Sequence, residues 1–311
     1  MLKKLKVIGT GMSGLVGTRI AELLGKKYSF TNLDLTTGVD LTLESNVKKA
    51  MGQAEGGVVL HLAAFTDVDA ANSQQGDREG ICYKLNVLGT RYVAQWCART
   101  EKYLIHISTD FIFDGRKMSA YNEEDVPHPI EWYGRTKYLA EKEVQRAHGK
   151  YAILRIAFPF RAAYAQKSDL VRSILHGLEN DTLYPMFSDQ LITPTFIDDI
   201  ATAVDSVISQ KPQGICHIVG STSLSPFMLA KKIAKTFGFG QNQVKKGSLS
   251  QYLKNSRRPY QRRLALSNRK AKTDLGIVMS DIDQALAKLK SQIREIQNTG
   301  QGKMIGDINL R

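Results

Sequence analysis

Short runs of β-branched and aliphatic residues alternate, through the first half of the chain, with longer stretches whose apolar positions recur every three or four residues. The first pattern suits strands and the second suits helices with one buried face. Their alternation predicts a parallel sheet joined by crossover helices. Strands are expected at 5–9, 28–33, 57–62, 103–108 and 151–156, with helices at 15–24, 43–51, 86–98 and 133–147. Continuous apolar runs such as VVLHLAA (58–64) and YLIHIS (103–108) are what a sheet covered on both faces requires. After Phe158 the rhythm becomes irregular, until a strand at 215–219 leads to a helix at 226–237. The last fifteen residues, QNTGQGKMIGDINLR, are polar and glycine-bearing and are expected to be a loose tail.

With 311 residues, 42% of them hydrophobic, the chain can bury a substantial core, either as one large α/β unit or as two modest domains. No apolar run approaches the roughly 18–20 residues of a membrane span, so no membrane partner is expected. The opening MLKKLKVIGT leads into a glycine-rich stretch with no small-residue cleavage site, and so reads as a first strand and not as a leader. Cys82, Cys97 and Cys216 are odd in number and widely spaced, which excludes a disulfide scaffold and a zinc ribbon and suits a reducing cytoplasm. Six scattered histidines with no paired spacing predict no metal site. His61 and His106, inside apolar strands, read as core residues, and Cys216 as packing.

Net charge is +13, and it is localised. Residues 1–230 hold 25 basic and 25 acidic side chains, whereas residues 231–311 hold 18 and 5. The densest stretch, 245–272, has ten Lys/Arg and no carboxylate. Such a region is either a solvated basic face or the seat of a polyanionic partner, a nucleic acid or a phosphorylated small molecule. Only Tyr252 and Tyr260 interleave with the charge and no nucleic-acid motif is present, so a nucleic acid is the weaker of those two.

The segment KVIGTGMSGLVGTRIAELL spaces Gly11, Gly14 and Gly17 as G-x-x-G-x-x-G, directly after a strand and at the mouth of a helix. Glycine there permits a tight turn and a close backbone approach to a pyrophosphate, which the helix N-terminus then meets with free N–H groups. Asp34 closes the second strand, where a ribose 2′-hydroxyl would be held. Its carboxylate repels a 2′-phosphate, so NAD(H) is preferred and NADP(H) is the alternative. A plainer reading has Asp34 capping a turn while Asp40 takes the adenosine side.

Tyr133 and Lys137 form a Y-x-x-x-K pair in EWYGRTKYLAEKEV, one turn apart on one helix face. A tyrosine with an ordinary pKa near 10 is a poor proton carrier at neutral pH, and a lysine beside it would favour its phenolate. Such pairs also occur on solvated helices. Here Ser108 and Thr109, in HISTDFIFDG, close a strand at the edge where doubly wound sheets hold ligands.

The order of these motifs resembles the extended short-chain dehydrogenase/reductase superfamily, and within it the dTDP-4-dehydrorhamnose reductase family. The matching segments are Asp40-Leu41-Thr42, AAFTDVDAA (63–71), STDFIFDG (108–115), YGRTK (133–137), DQLITPTF (189–196) and SRRPYQRRLALSNRK (256–270), together with a central Asn86. The resemblance implies a Rossmann-type doubly wound α/β fold with a smaller C-terminal substrate-binding domain. That division puts the dinucleotide-binding part at 1–157 with a returning segment near 190–220, the sugar-nucleotide part at 158–189 and 221–296, and the tail at 297–311. It implies that Tyr133 is the acid in reduction of a C4 keto group of a nucleotide-diphosphate sugar, with Lys137 holding the ribose and lowering the tyrosine pKa. Thr109 would hydrogen-bond the reacting oxygen and Asp110 the sugar. Gly11, Gly14, Leu15, Val16, Asp40, Leu41, Ala63, Ala64 and Thr66 match cofactor-contact positions, and Arg257 and Arg258 fall where the sugar-nucleotide site is completed.

The chain departs from the family pattern in three places. Phe158 stands where a tryptophan is usual over the sugar, His61 where asparagine is usual, and Met12 and Ser13 are atypical in the glycine turn. An epimerase using the same Tyr133–Lys137 pair and a non-catalytic regulatory subunit on the same scaffold remain alternatives. A 4,6-dehydratase is disfavoured because Phe111 follows Asp110. By analogy, the helices after Asn86 and Tyr133 offer surfaces for a homodimer.

Overall fold

The computed structural model describes residues 3–299. Six strands form one fully parallel sheet: β1 (Leu5–Thr10), β2 (Tyr28–Asn32), β3 (Val58–His61), β4 (Tyr103–Thr109), β5 (Tyr151–Ile156) and β6 (Gly214–His217). Their spatial order is β2-β1-β3-β4-β5-β6. The chain therefore winds outward from β1 in one direction and from β3 in the other, and the gap between their C-terminal ends is the topological switch point of the sheet.

Neighbouring residues of each central strand feed opposite cores. Val7, Leu60, Ile105 and Leu154 pack on one side with Ile20 of the Leu15–Leu24 helix and with Ile200, Val204 and Val207 of the Ile197–Gln210 helix. Ile8, Val59, Leu104 and Ile153 pack on the other with Val47, Met51, Val93 and Val144 of three further helices. This double burial is why the strands read as unbroken apolar runs. A separate core joins the Leu170–Glu179, Pro226–Phe237 and Ile282–Asn298 helices through Leu175, Ile233 and Leu289.

Several boundaries shift by one or two residues from the sequence expectation, and three differences bear on the reading. The helix expected at 86–98 starts as a π-helical stretch, Lys84–Gly89, before the regular Thr90–Arg99. Strand β6 ends at His217, short of Val219. Residues 297 and 298 of the expected tail continue the Ile282–Asn298 helix, held by apolar contacts that its polar C-terminal sequence does not reveal, and residues 300–311 lie outside the described residues. All three cysteines are buried free thiols, and no described helix is long and apolar enough to cross a membrane.

Candidate active site

A cleft of about 860 Å³ opens at the switch point, over the C-terminal ends of β1, β3 and β4. Gly11 occupies the left-handed backbone region (φ +67°), and a β-carbon on it would fall 2.5 Å from the Ala63 amide nitrogen. Only glycine lets the β1 turn pass this close to the chain leaving β3. Gly14 then precedes the Leu15–Leu24 helix, whose end has no side-chain cap and no acidic residue in its first turn. Open N–H groups with no carboxylate in the helix's own first turn fit an anion such as a pyrophosphate. Leu15, Val16, Gly17, Leu41, Ala63, Ala64 and Thr66 line the same cleft.

Asp34 caps a turn and also faces the cleft. The turn is the short 3-10 segment Leu35–Thr37, where its carboxylate accepts from Thr36 N at 2.9 Å. Its Oδ2 also accepts from Ser13 N at 3.2 Å, which ties the glycine turn to the end of β2. Burial opposes ionisation, but hydrogen bonds from Thr36, Asn32 and Ser13 outweigh it and hold the carboxyl below the ordinary range. Asp40 lines the cleft while accepting from Thr42 N and Oγ1 at 2.9 and 2.7 Å. Asn32 was not marked by the sequence reading, yet its Oδ1 accepts from Met12 N and its Nδ2 donates to Ser13 Oγ. Its signal was a polar residue closing the strand YSFTN.

Tyr133 and Lys137 stand on the Trp132–Arg146 helix, whose N-terminus is capped by the buried Glu131 accepting from Tyr133 N (2.8 Å) and Gly134 N (2.6 Å). Gly134 packs directly on the Phe111 carbonyl, where any β-carbon would collide. That contact brings Tyr133 beside Thr109 at the end of β4, and both line the cleft with Asp110. Thr109 Oγ1 accepts from Phe111 N at 3.3 Å and donates to Asp110 Oδ1 at 3.1 Å.

The electrostatics correct one expectation. The phenol of Tyr133 is not made acidic: burial pushes its pKa above the ordinary value, Thr109 pulls it down as a hydrogen-bond partner, and the carboxyls of Asp110 and Glu131 raise it again. Lys137 is itself buried, which lowers its pKa to about 8 against the pull of Glu141. Its Nζ donates to Ile107 O at 2.7 Å. A dry wall thus weakens both ionised forms. Below this wall Ser108 Oγ donates to Glu141 Oε1 at 2.5 Å, and Arg155 grips the same carboxylate through Nε and Nη2.

Phe158 faces the cleft from a strained left-handed backbone (φ +41°). Its ring lies 6.1 Å from that of Phe111, which meets Tyr133 edge-on at 5.7 Å. Holding a phenylalanine in that region costs on the order of 1–3 kcal/mol, offset by the packing around it. Past Phe158 the chain crosses the glycine turn, where Tyr164 donates to Ser13 O (2.8 Å) and Lys167 reaches Thr66 Oγ1 (3.2 Å). No motif announced these two residues.

Arg257 and Arg258 do not line the cleft. Arg257 is exposed, while Arg258 pairs through Nε with Asp69 Oδ1 at 2.7 Å and lies 3.7 Å over the Tyr260 ring. Asp69 sits on the short Val68–Asn72 helix just beyond cleft-lining Thr66, so Arg258 reaches the rim and Arg257 stays outside it. Neighbouring basic residues face elsewhere: Arg262 donates to Ser250 Oγ, Arg263 to Met118 O and Lys270 to Ile215 O. His61 bridges Thr10 and Thr90 inside the core, whereas both ring nitrogens of His106 are buried without a partner among the described residues.

Comparison with known proteins places this geometry among relatives. The model of the RmlD substrate binding domain family matches residues 5–295. A dTDP-4-dehydrorhamnose reductase of Sinorhizobium fredii is 32% identical over 235 residues, covering 72% of this chain and 77% of that one. The crystal structure of dTDP-4-dehydrorhamnose reductase from Bacillus anthracis in complex with NADP superposes with a TM-score of 0.84 at 25% identity, over 93% of this chain and all of the other. A UDP-glucose 4-epimerase from Thermotoga maritima shares the fold, with a TM-score of 0.79 at 18% identity over 94% of this chain and all of the other.

Proposed function

The chain belongs to the RmlD substrate binding domain family, and on that premise we propose that it reduces the C4 keto group of a nucleotide-activated deoxysugar, with Tyr133 as the proton donor and NAD(P)H as the cofactor. The observation that carries the reading is the shared cleft: the glycine turn with its open helix N-terminus and the Thr109–Tyr133–Lys137 group line one cavity.

When bound, the dinucleotide supplies a hydride to the carbonyl carbon. The chain's own residues do the rest. Thr109 orients the carbonyl oxygen, and the phenol, kept protonated by burial, gives its proton to that oxygen as negative charge develops. Lys137 is held against the β4 backbone, within a turn of the phenol, and its charge favours the phenolate left behind. The pyrophosphate would lie on the Gly11–Gly14 turn, and the adenosine ribose against Asp34. The ionised Asp34 favours NADH over NADPH by repelling a 2′-phosphate. Phe158 would stack on the sugar, with Asp110 beneath it. The part of the chain around the separate helical core, 158–189 and 221–296, would hold the nucleotide-diphosphate end, with Arg258 at the rim.

The test is oxidation of NADH or NADPH on addition of a dTDP-4-keto-6-deoxysugar. Stoichiometric oxidation supports the reductase. A dinucleotide that co-purifies, never leaves and is not consumed while a sugar changes configuration would replace it with the epimerase reading.

A further inference from the structure

The wall of the cleft is rich in acid and poor in base. Asp34, Asp40, Asp110 and Asp169 line it, and among the described residues Lys137 and Lys167 are its only basic groups. Lys137 is buried at the Tyr133 end with its Nζ on Ile107 O. Arg161 turns away from the cleft, to Thr18 Oγ1 at 2.9 Å and to both Glu22 carboxylate oxygens at 2.8 Å. Arg258 stays at the rim on Asp69. A dinucleotide brings about two negative charges on its pyrophosphate, whereas a helix N-terminus offers roughly half a positive charge. Lys167 is the lining cation left to supply more.

Lys167 belongs to the stretch 161–169, which runs from the Phe158 turn to the Leu170–Glu179 helix. Tyr164 donates to Ser13 O in the glycine turn, and Lys167 Nζ donates to Thr66 Oγ1 at 3.2 Å on the chain leaving β3. Gly11 packs on Ala63 of that same chain, so both contacts fall beside the seat of the pyrophosphate. The backbone between them is fixed by the buried Arg172, whose Nη1 donates to Tyr164 O at 2.7 Å and whose Nη2 donates to Lys167 O. The lysine is therefore presented without a loop having to be ordered first. Its ammonium meets a neutral hydroxyl and has no ion-pair partner among the described residues.

We propose that Lys167 is the side-chain counterion of the dinucleotide pyrophosphate, exchanging the Thr66 hydroxyl for a phosphate oxygen when the cofactor binds. The inference rests on the NAD(P)H reading of the cleft. A bond from an ammonium to a phosphate oxygen is charge-assisted and stronger than one to a hydroxyl. The diphosphate of the sugar nucleotide is the other anion of the proposed reaction, and Arg258 stands on its side. Lys167 thus serves the cofactor although it lies in 158–189, the part expected to hold the sugar nucleotide.

The experiment compares Lys167→Met, which keeps the aliphatic stem and removes the charge, with Lys167→Arg, which keeps the charge. Both should melt within about a degree of the wild type without ligand, because the side chain is exposed. NADH affinity, from fluorescence titration in low salt, should fall about tenfold in Lys167→Met and no more than about threefold in Lys167→Arg. Raising the salt to about 0.5 M should narrow the gap between Lys167→Met and the wild type, since the ammonium is screened. Affinity for dTDP, which carries the diphosphate of a sugar nucleotide, should stay within about twofold of wild type in both variants. An NADH affinity of Lys167→Met within about twofold of wild type overturns the inference. So does a loss of dTDP affinity with NADH unchanged, which assigns the lysine to the sugar nucleotide. Equal loss of NADH affinity in the two variants overturns it as well, because charge is then not what holds the cofactor. If the wild type binds neither NADH nor NADPH, the dinucleotide reading itself fails, whereas equal binding by wild type and Lys167→Met removes Lys167 alone.

Discussion

Lys137 donates its Nζ to the main-chain oxygen of Ile107 at 2.7 Å, so the lysine that the motif pairs with Tyr133 is anchored to the β4 strand itself. The anchor holds an ammonium 3% exposed in the wall of the cleft, with the Glu141–Arg155 pair as its charged neighbourhood. Burial at this point costs stability and holds the ammonium on the same helix, one turn beyond Tyr133.

Lys137 therefore leaves a signature in stability against pH. Its folded pKa of about 8 lies below the ordinary 10.5, so between these values the unfolded chain binds the extra proton and stability rises with pH. In Lys137→Met this contribution is absent. The unfolding free energy of the wild type, from denaturant titrations, should gain on that of the variant as pH rises from 8 to 10, by about 2–3 kcal/mol. A constant difference across that range would show that the lysine is not buried as an ammonium.

Tyr133→Phe removes the hydroxyl proposed as the proton donor and leaves the ring packed against Phe111. Turnover should fall by roughly 10²–10⁴, the usual worth of a positioned acid, while NADH affinity changes little. Stopped-flow NADH oxidation with parallel binding titrations separates the two quantities, and a rate near wild type would remove Tyr133 from the acid role.

Gly11→Ala puts a β-carbon in a left-handed position against the Ala63 backbone, where neither side can give way. A cost of about 1–3 kcal/mol is expected, which lowers the melting temperature by several degrees in a chain of this size. Protection by NADH in the same thermal-shift experiment should disappear. A variant melting with the wild type and still protected would mean that the turn does not hold the dinucleotide.

The two adjacent arginines should behave differently. Arg258→Ala breaks the contact with Asp69 and the stack on Tyr260, so the KM for the sugar nucleotide should rise several-fold without a change in NADH affinity. Arg257→Ala, at an exposed position away from the cleft, should leave both constants within about twofold of wild type. Equal effects of the two would place the nucleotide outside the cleft described above.

Asp34→Ala removes the carboxylate that meets the Ser13 amide. The ratio of kcat/KM for NADPH over NADH should rise by about tenfold, one tenfold step being worth about 1.4 kcal/mol. An unchanged ratio would assign dinucleotide choice to other residues.

The sheet, the glycine turn and the tyrosine–lysine pair were legible in the sequence because each is written in local spacing. Strands buried on both faces leave unbroken apolar runs, a helix opening on an anion leaves glycines, and two side chains four residues apart share a helix face. The motif for residues 133–137 could not carry the electrostatics, since the pKa of a phenol depends on what covers it, and here burial and the carboxyls of Asp110 and Glu131 raise it. Nor could it separate Arg257 from Arg258, neighbours in sequence that the chain turns to different surroundings. Asn32, Glu131, Tyr164 and Lys167 reached the site only through contacts between distant segments. Local pattern thus determined the fold class and the chemistry available to the cleft. Tertiary packing decided which groups are dry, and therefore which of them hold a proton at neutral pH.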